Sequence, residues 1–282
     1  MRVGMNLLLW TTHVTAEHFP ILAKLKQAGY DGVELPIFEG DAAHFKKVRA
    51  ELDKNGLACT AVTVATPEAS PISPDASVRK AAVERMKWVI EMCSILGVEN
   101  LVGPYHSPLA VFSGEPPTET EKGRAADVLR QAAEIAQAAK VKLCIEYLNR
   151  FECYFLTTAA DAVALVKRVD HPNFRTMYDT FHAHIEEKNQ AAAIRQVAPV
   201  LGHVHISEND RGTPGTGQVA WDTAFKALRE IRYDGWTVIE AFGRALPALA
   251  AATKVWRDLF PNAEQVYTNG LAFIKKKWAE AA

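Results

Sequence analysis

The sequence predicts an α/β fold, a (β/α)8 TIM barrel carrying an extra C-terminal helix. Three observations lead there. Short apolar runs alternate eight times with longer stretches of helical period. The chain has 282 residues, near the ~250 typical of such barrels. The turn after the first run, TTHVTAEH, contains no glycine, whereas a doubly wound open sheet, the main competitor, usually has fewer strands and often a Gly-rich first turn.

The strand candidates, in order, are RVGMNLLLW (2–10), GVELPIF (32–38), LACTAVTV (57–64), NLVGPY (100–105), VKLCIEYLN (141–149), FRTMYD (174–179), GHVHISEN (202–209) and WTVIEAF (236–242). Each is short and rich in the Val, Ile, Leu and Tyr that suit a pleated, buried surface. Between them, FPILAKLKQAGY, VRKAAVERMKWVIEMCSILG, AADVLRQAAEIAQAAK, TAADAVALVKRV and DTAFKALREI space their apolar residues for one helical face. Several close on glycine, which terminates helices readily. Residues 246–280 hold the eighth helix and the extra one, ending FIKKKWAEAA. No low-complexity linker interrupts the chain, so residues 1–282 are expected to form one domain.

Composition narrows the function classes. The 32 Lys and Arg nearly balance 33 Asp and Glu, for a net charge of −1. Such a chain exerts no general pull on nucleic acid or membrane, so neither is expected as a partner. The four cysteines form no CxxC pair, which suits reduced thiols and a cytoplasmic location. The N-terminal apolar run is too short for a signal peptide, and nothing approaches a membrane span.

Four acids or imidazoles interrupt apolar strands near their C-terminal ends: Glu146 in CIEYL, Asp179 in MYDTF, His205 in HVHIS and Glu240 in VIEAF. A parallel barrel strand is buried on both faces, so a charge inside it needs a reason. Period-two alternation turns the bulky neighbours outward and these four groups inward, toward the mouth where barrels keep their chemistry. Three carboxylates and an imidazole brought together would repel one another unless a cation joins them. Three oxygen donors and one nitrogen suit Mn²⁺, with Mg²⁺ or Co²⁺ as alternatives, better than zinc.

The set IEYLNRFE, YDTFHAHIEE, HVHISENDRGTPGTG and VIEAF resembles the ketose 3-epimerases, the D-tagatose/D-allulose (psicose) 3-epimerase group of the xylose-isomerase-like TIM-barrel superfamily. AGYDGVEL and WRDLFPNAEQVYTNGLAFIKKK extend the resemblance over nearly the whole chain. It implies Glu146, Asp179, His205 and Glu240 as metal ligands, and Glu146 and Glu240 also as the catalytic acid and base. It implies Glu152, His182, Arg211 and Phe242 as substrate-binding residues, a small-molecule ketose as substrate, and a homodimer or homotetramer. The implied reaction inverts C3 of a free ketose through a cis-enediolate. His184 is left as solvated loop, His203 as lower barrel lining, and Glu186 and Glu187 as the start of the next helix, where acids favour the dipole.

The loop GPYHSPLAVFSGEPP (103–117) departs from the family pattern, and through His106 and Phe112 it is expected to shape the far end of the sugar. Trp10 and His13 are further wall candidates. Three rival functions remain open: a related isomerase, dehydratase or lyase acting on an inosose, hydroxypyruvate or a 3-keto-glycoside; a phosphate cradle built from GTPGTG (212–217); and a non-catalytic sugar-binding subunit.

Overall fold

A computed structural model describes residues 1–281. Eight parallel strands, β1 Arg2–Asn6, β2 Gly32–Pro36, β3 Ala58–Val62, β4 Asn100–Gly103, β5 Lys142–Ile145, β6 Phe174–Asp179, β7 Leu201–Ile206 and β8 Trp236–Ile239, pair in chain order. The barrel closes between β8 and β1, with Val3 opposite Thr237 and Met5 opposite Ile239. The helices are α1 Phe19–Ala28, α2 Ala42–Asn55, α3 Ala76–Leu96, α4 Glu119–Ala138, α5 Ala159–Val169, α6 Thr180–Glu186, α7 Gln190–Val197, α8 Trp221–Glu230, α9 Pro247–Thr253 and α10 Ala263–Glu280. All eight expected strands are present, several shortened at their ends. After β8 come two helices, as expected. The last, α10, packs on β8 and α8, while the short α9 reaches over the mouth.

The first three helices end on Gly29, Gly56 and Gly97, each left-handed, which stops the helix and turns the chain into the next strand. Most of the apolar core lies between the strands' outer faces and the helices. A separate cluster (Leu8, Val62, Val102, Cys144, Met177 and Phe242 at its centre) fills the barrel interior. Cys144 and Met177 thus define the inward parity of β5 and β6, and Glu146 and Asp179 follow two residues later on the same face.

Between β6 and β7 the register slips: Thr176 pairs with Leu201, but Met177 pairs with His203. Gly202 is the extra residue, and a Cβ there would sit 2.5 Å from Cys144 Sγ. Only glycine fits, and the bulge sets the parity that sends His203 and His205 inward. Among the described residues, no helix is long and apolar enough to cross a membrane.

Candidate active site

Glu146, Asp179, His205 and Glu240 converge at the C-terminal mouth. All four are buried, and one donor atom from each lies within 4.8 Å of every other. Asp179 and His205 belong to β6 and β7, while Glu146 and Glu240 each stand one residue beyond β5 and β8. His205 Nδ1 faces Glu240 Oε1 at 3.4 Å, Asp179 Oδ2 at 3.5 Å and Glu146 Oε1 at 4.0 Å. That nitrogen is buried and makes no hydrogen bond among the described residues. Asp179 divides its oxygens: Oδ1 accepts from the amides of Phe181 and His182 and caps α6, leaving Oδ2 toward the cluster. An unpartnered imidazole nitrogen among three carboxylates fits a divalent cation.

Burial, with Glu240 and Asp179 facing it, pushes the Glu146 carboxyl well above the usual range. Burial also opposes charge on Glu240, but His205 and Arg211 hold that group below the usual range. Asp179 is likewise held low against its burial, by His205, His182 and Arg211. The repulsion among the acids is thus real in this geometry.

Beneath this cluster lies a residue the sequence does not nominate. Glu34 of β2, fully buried, accepts from Asn6 Nδ2 (3.0 Å), Thr60 Oγ1 (2.8 Å) and His205 Nε2 (2.7 Å). His203 Nε2 lies 3.2 Å from its other oxygen, so His203 does line the lower interior as expected. Burial opposes the charge on Glu34, but His205 and His203 hold its pKa far below the usual carboxylate value. The signal was available: Glu34 interrupts GVELPIF between Val33 and Leu35 just as Glu240 interrupts VIEAF.

Above the cluster opens a cavity of about 90 Å³. The four expected substrate contacts, Glu152, His182, Arg211 and Phe242, all line it. His182 Nδ1 accepts from the Asn149 amide at 2.9 Å, while its Nε2 lies 3.1 Å from Arg211 Nη2 and 3.5 Å from Glu146 Oε1. Burial, and then Arg211, push the His182 pKa down to about 3, which keeps the ring neutral. Arg211 donates to Glu240 Oε2 at 2.6 Å and lies 3.8 Å from Glu152 Oε1. Its guanidinium stacks 3.7 Å above the Phe181 ring and 5.0 Å from that of Phe242. The opposite wall is apolar, formed by Leu8, Phe38, Val62, Pro104, Leu109 and Leu249.

Several expectations need correction. In the 103–117 loop, Pro104 and Leu109 meet the cavity, but His106 is wholly buried with its ring tilted against Phe155, while Phe112 is exposed. Trp10 packs on Tyr267 and His13 stacks on His44, so neither walls the cavity. Glu186 ends α6 rather than opening a helix, pairing with Arg150 at 2.9 Å. Glu187 accepts from the amide of Ala159, the first residue of α5, so it serves the start of a different helix. His184 is part of α6 and half-buried, not loop.

The GTPGTG loop is already filled by an anion. Glu208 accepts from the amides of Asn209, Gly215 and Val219 and from Trp221 Nε1, at 2.8–3.1 Å. These donors hold its pKa below the usual range despite burial. Glu208→Gln keeps the shape but sets an NH₂ against amide donors. We expect a loss of about 1–3 kcal/mol, read as a lower Tm; an unchanged Tm would show that the loop is held otherwise. Because the folded pKa is depressed, this contribution is present above the unfolded carboxylate's pKa and fades as pH falls through the folded value.

Residues 22–277 match the xylose isomerase-like TIM barrel family. The chain is 32% identical to a D-psicose 3-epimerase of Agrobacterium fabrum, with 98% of each chain covered. The ketose 3-epimerase of Arthrobacter globiformis is 31% identical over 98% of this chain and 96% of its own. The chain belongs to the ketose 3-epimerases. As a member of that family it is an isomerase of the carbohydrate epimerase class. A solved ketose 3-epimerase relative, a D-psicose 3-epimerase from Clostridium cellulolyticum with D-tagatose, superposes with a TM-score of 0.90 at 29% identity, covering 99% of both chains.

Proposed function

We propose that the chain inverts C3 of a free ketose, taking the C3 proton on one face and returning a proton on the other. The observation that carries this is the convergence of Glu146, Asp179, His205 and Glu240 within 4.8 Å at the floor of a cavity lined by Glu152, His182 and Arg211. The names of the relatives, which are 3-epimerases of psicose and other ketoses, point the same way.

The C3 proton is acidic only because a carbonyl stands beside it, and its removal leaves an enediolate. Glu146 and Glu240 reach the floor from β5 and β8, on different sides of the mouth, so one can act as base while the other acts as acid. The roles exchange when the sugar enters as the other epimer. The neutral imidazole of His182 and Arg211 hold hydroxyls or the carbonyl oxygen, and Glu152 accepts from a hydroxyl. The apolar wall with Phe242 excludes water from the remaining carbons. Glu146, Asp179, His205 and Glu240 would hold a divalent cation, Mn²⁺ by their donor set, which would supply Lewis-acid stabilisation to the developing negative oxygen.

The free sugar is favoured over its phosphate for two reasons. Arg211 is the single cationic residue lining the cavity among the described residues, and it is committed to Glu240. The loop that could cradle phosphate is filled by Glu208. The test incubates the protein with Mn²⁺ in D₂O and D-allulose, D-tagatose or L-ribulose, alongside ketose 6-phosphates. Deuterium should enter C3 of a free ketose as its epimer appears, with phosphates reacting more slowly. Exchange confined to the phosphates, or none at all, overturns the assignment.

A further inference from the structure

We propose that Glu34 is a positioning residue of the metal centre, accepting Nε2–H from His205 so that Nδ1 is the atom offered to the ion; this role presupposes the metal-dependent function proposed above. The direction of that hydrogen bond follows from the neighbours. Asn6 Oδ1 accepts from the Leu8 amide at 2.8 Å, which fixes the side-chain amide with Nδ2 toward Glu34. Thr60 Oγ1 donates to the other oxygen at 2.8 Å. A buried carboxylate receiving donors on both oxygens is ionised and has no proton to give. The hydrogen between Glu34 Oε1 and His205 Nε2, 2.7 Å apart, therefore belongs to the imidazole.

A metal-bound imidazole keeps one N–H, and with that hydrogen on Nε2 the lone pair offered to the ion is that of Nδ1. That atom faces Glu240, Asp179 and Glu146 at 3.4, 3.5 and 4.0 Å and has no other partner among the described residues. The reverse tautomer would set two lone pairs against each other at 2.7 Å and aim a proton into the cluster. The negative charge behind the ring also raises the basicity of Nδ1, as carboxylates behind metal-bound histidines do. Asn6 extends the clamp to a second ligand, since its Nδ2 also reaches Glu240 Oε1 at 3.3 Å.

The experiment measures Mn²⁺ dissociation constants on folded wild-type protein and on Glu34→Gln, by EPR of free Mn²⁺, with Tm recorded for both metal-free proteins. Weaker binding by the variant, about 10- to 100-fold, is expected. A lowered Tm with unchanged Mn²⁺ affinity would make Glu34 merely structural and overturn the proposal. Wild-type protein that binds no Mn²⁺ would instead overturn the metal-dependent function itself. A second measurement does not depend on the variant folding. In ¹⁵N-histidine spectra of Mg²⁺-loaded wild type, with His205 assigned from a His205→Asn spectrum, Nε2 should be protonated and Nδ1 not; a protonated Nδ1 overturns the proposal.

Discussion

Glu146→Gln and Glu240→Gln should each lower kcat by about 10⁴-fold, the upper end of what a general acid or base contributes, because each change also removes a carboxylate from the ligand cluster. The amide keeps nearly the same volume, so the packing around both positions, 4% and 5% exposed, should survive; Tm should change little for Glu146→Gln and fall for Glu240→Gln, whose carboxylate accepts from the buried Arg211. The readout that separates proton transfer from general disruption is isotope exchange in D₂O. If the two carboxylates serve opposite faces of C3, any residual exchange in one variant should be confined to one epimer, and in the other variant to the opposite epimer. Near-normal turnover by either variant, or residual exchange of both epimers in both, would end the two-base scheme.

Treatment with a chelator should bring turnover to background, and Mn²⁺ should restore it. The stability of the protein offers an independent readout. A ligand bound only by the folded state at a hundredfold excess over its Kd stabilises by about 2.7 kcal/mol, which for a chain of this size raises Tm by roughly 5 °C. His205→Asn should abolish that rise, since it removes the single nitrogen donor from the cluster. Activity and Tm that are both indifferent to chelator would exclude a metal at this cluster.

The barrel was legible because its two periodicities are strong: short buried strands, then helices that end on Gly29, Gly56 and Gly97. The four clustered groups were legible for a related reason. A charge in a strand buried on both faces is conspicuous, and alternation says which way it points. Glu34 carries the same mark but sits mid-strand, below the ends where chemistry was sought. Other features depend on contacts between distant segments that no local pattern encodes. Arg150 meets Glu186 across 36 positions, and Glu187 serves the first turn of α5. His106 reads as a polar loop residue, yet the fold buries it against Phe155 and drives its pKa down to about 3 through loss of solvent.

Glu208 makes the strand-seven loop a site with a permanent tenant. A dissolved phosphoester seeking those amides would compete with a carboxylate tethered in place, whose effective concentration is set by the fold and not by the surroundings. On the function proposed above, discrimination against phosphorylated sugars would in this way be inherited from the scaffold before any substrate arrives. Widening the range of accepted sugars to include phosphates would require evicting that side chain, and not merely adding a lysine at the rim.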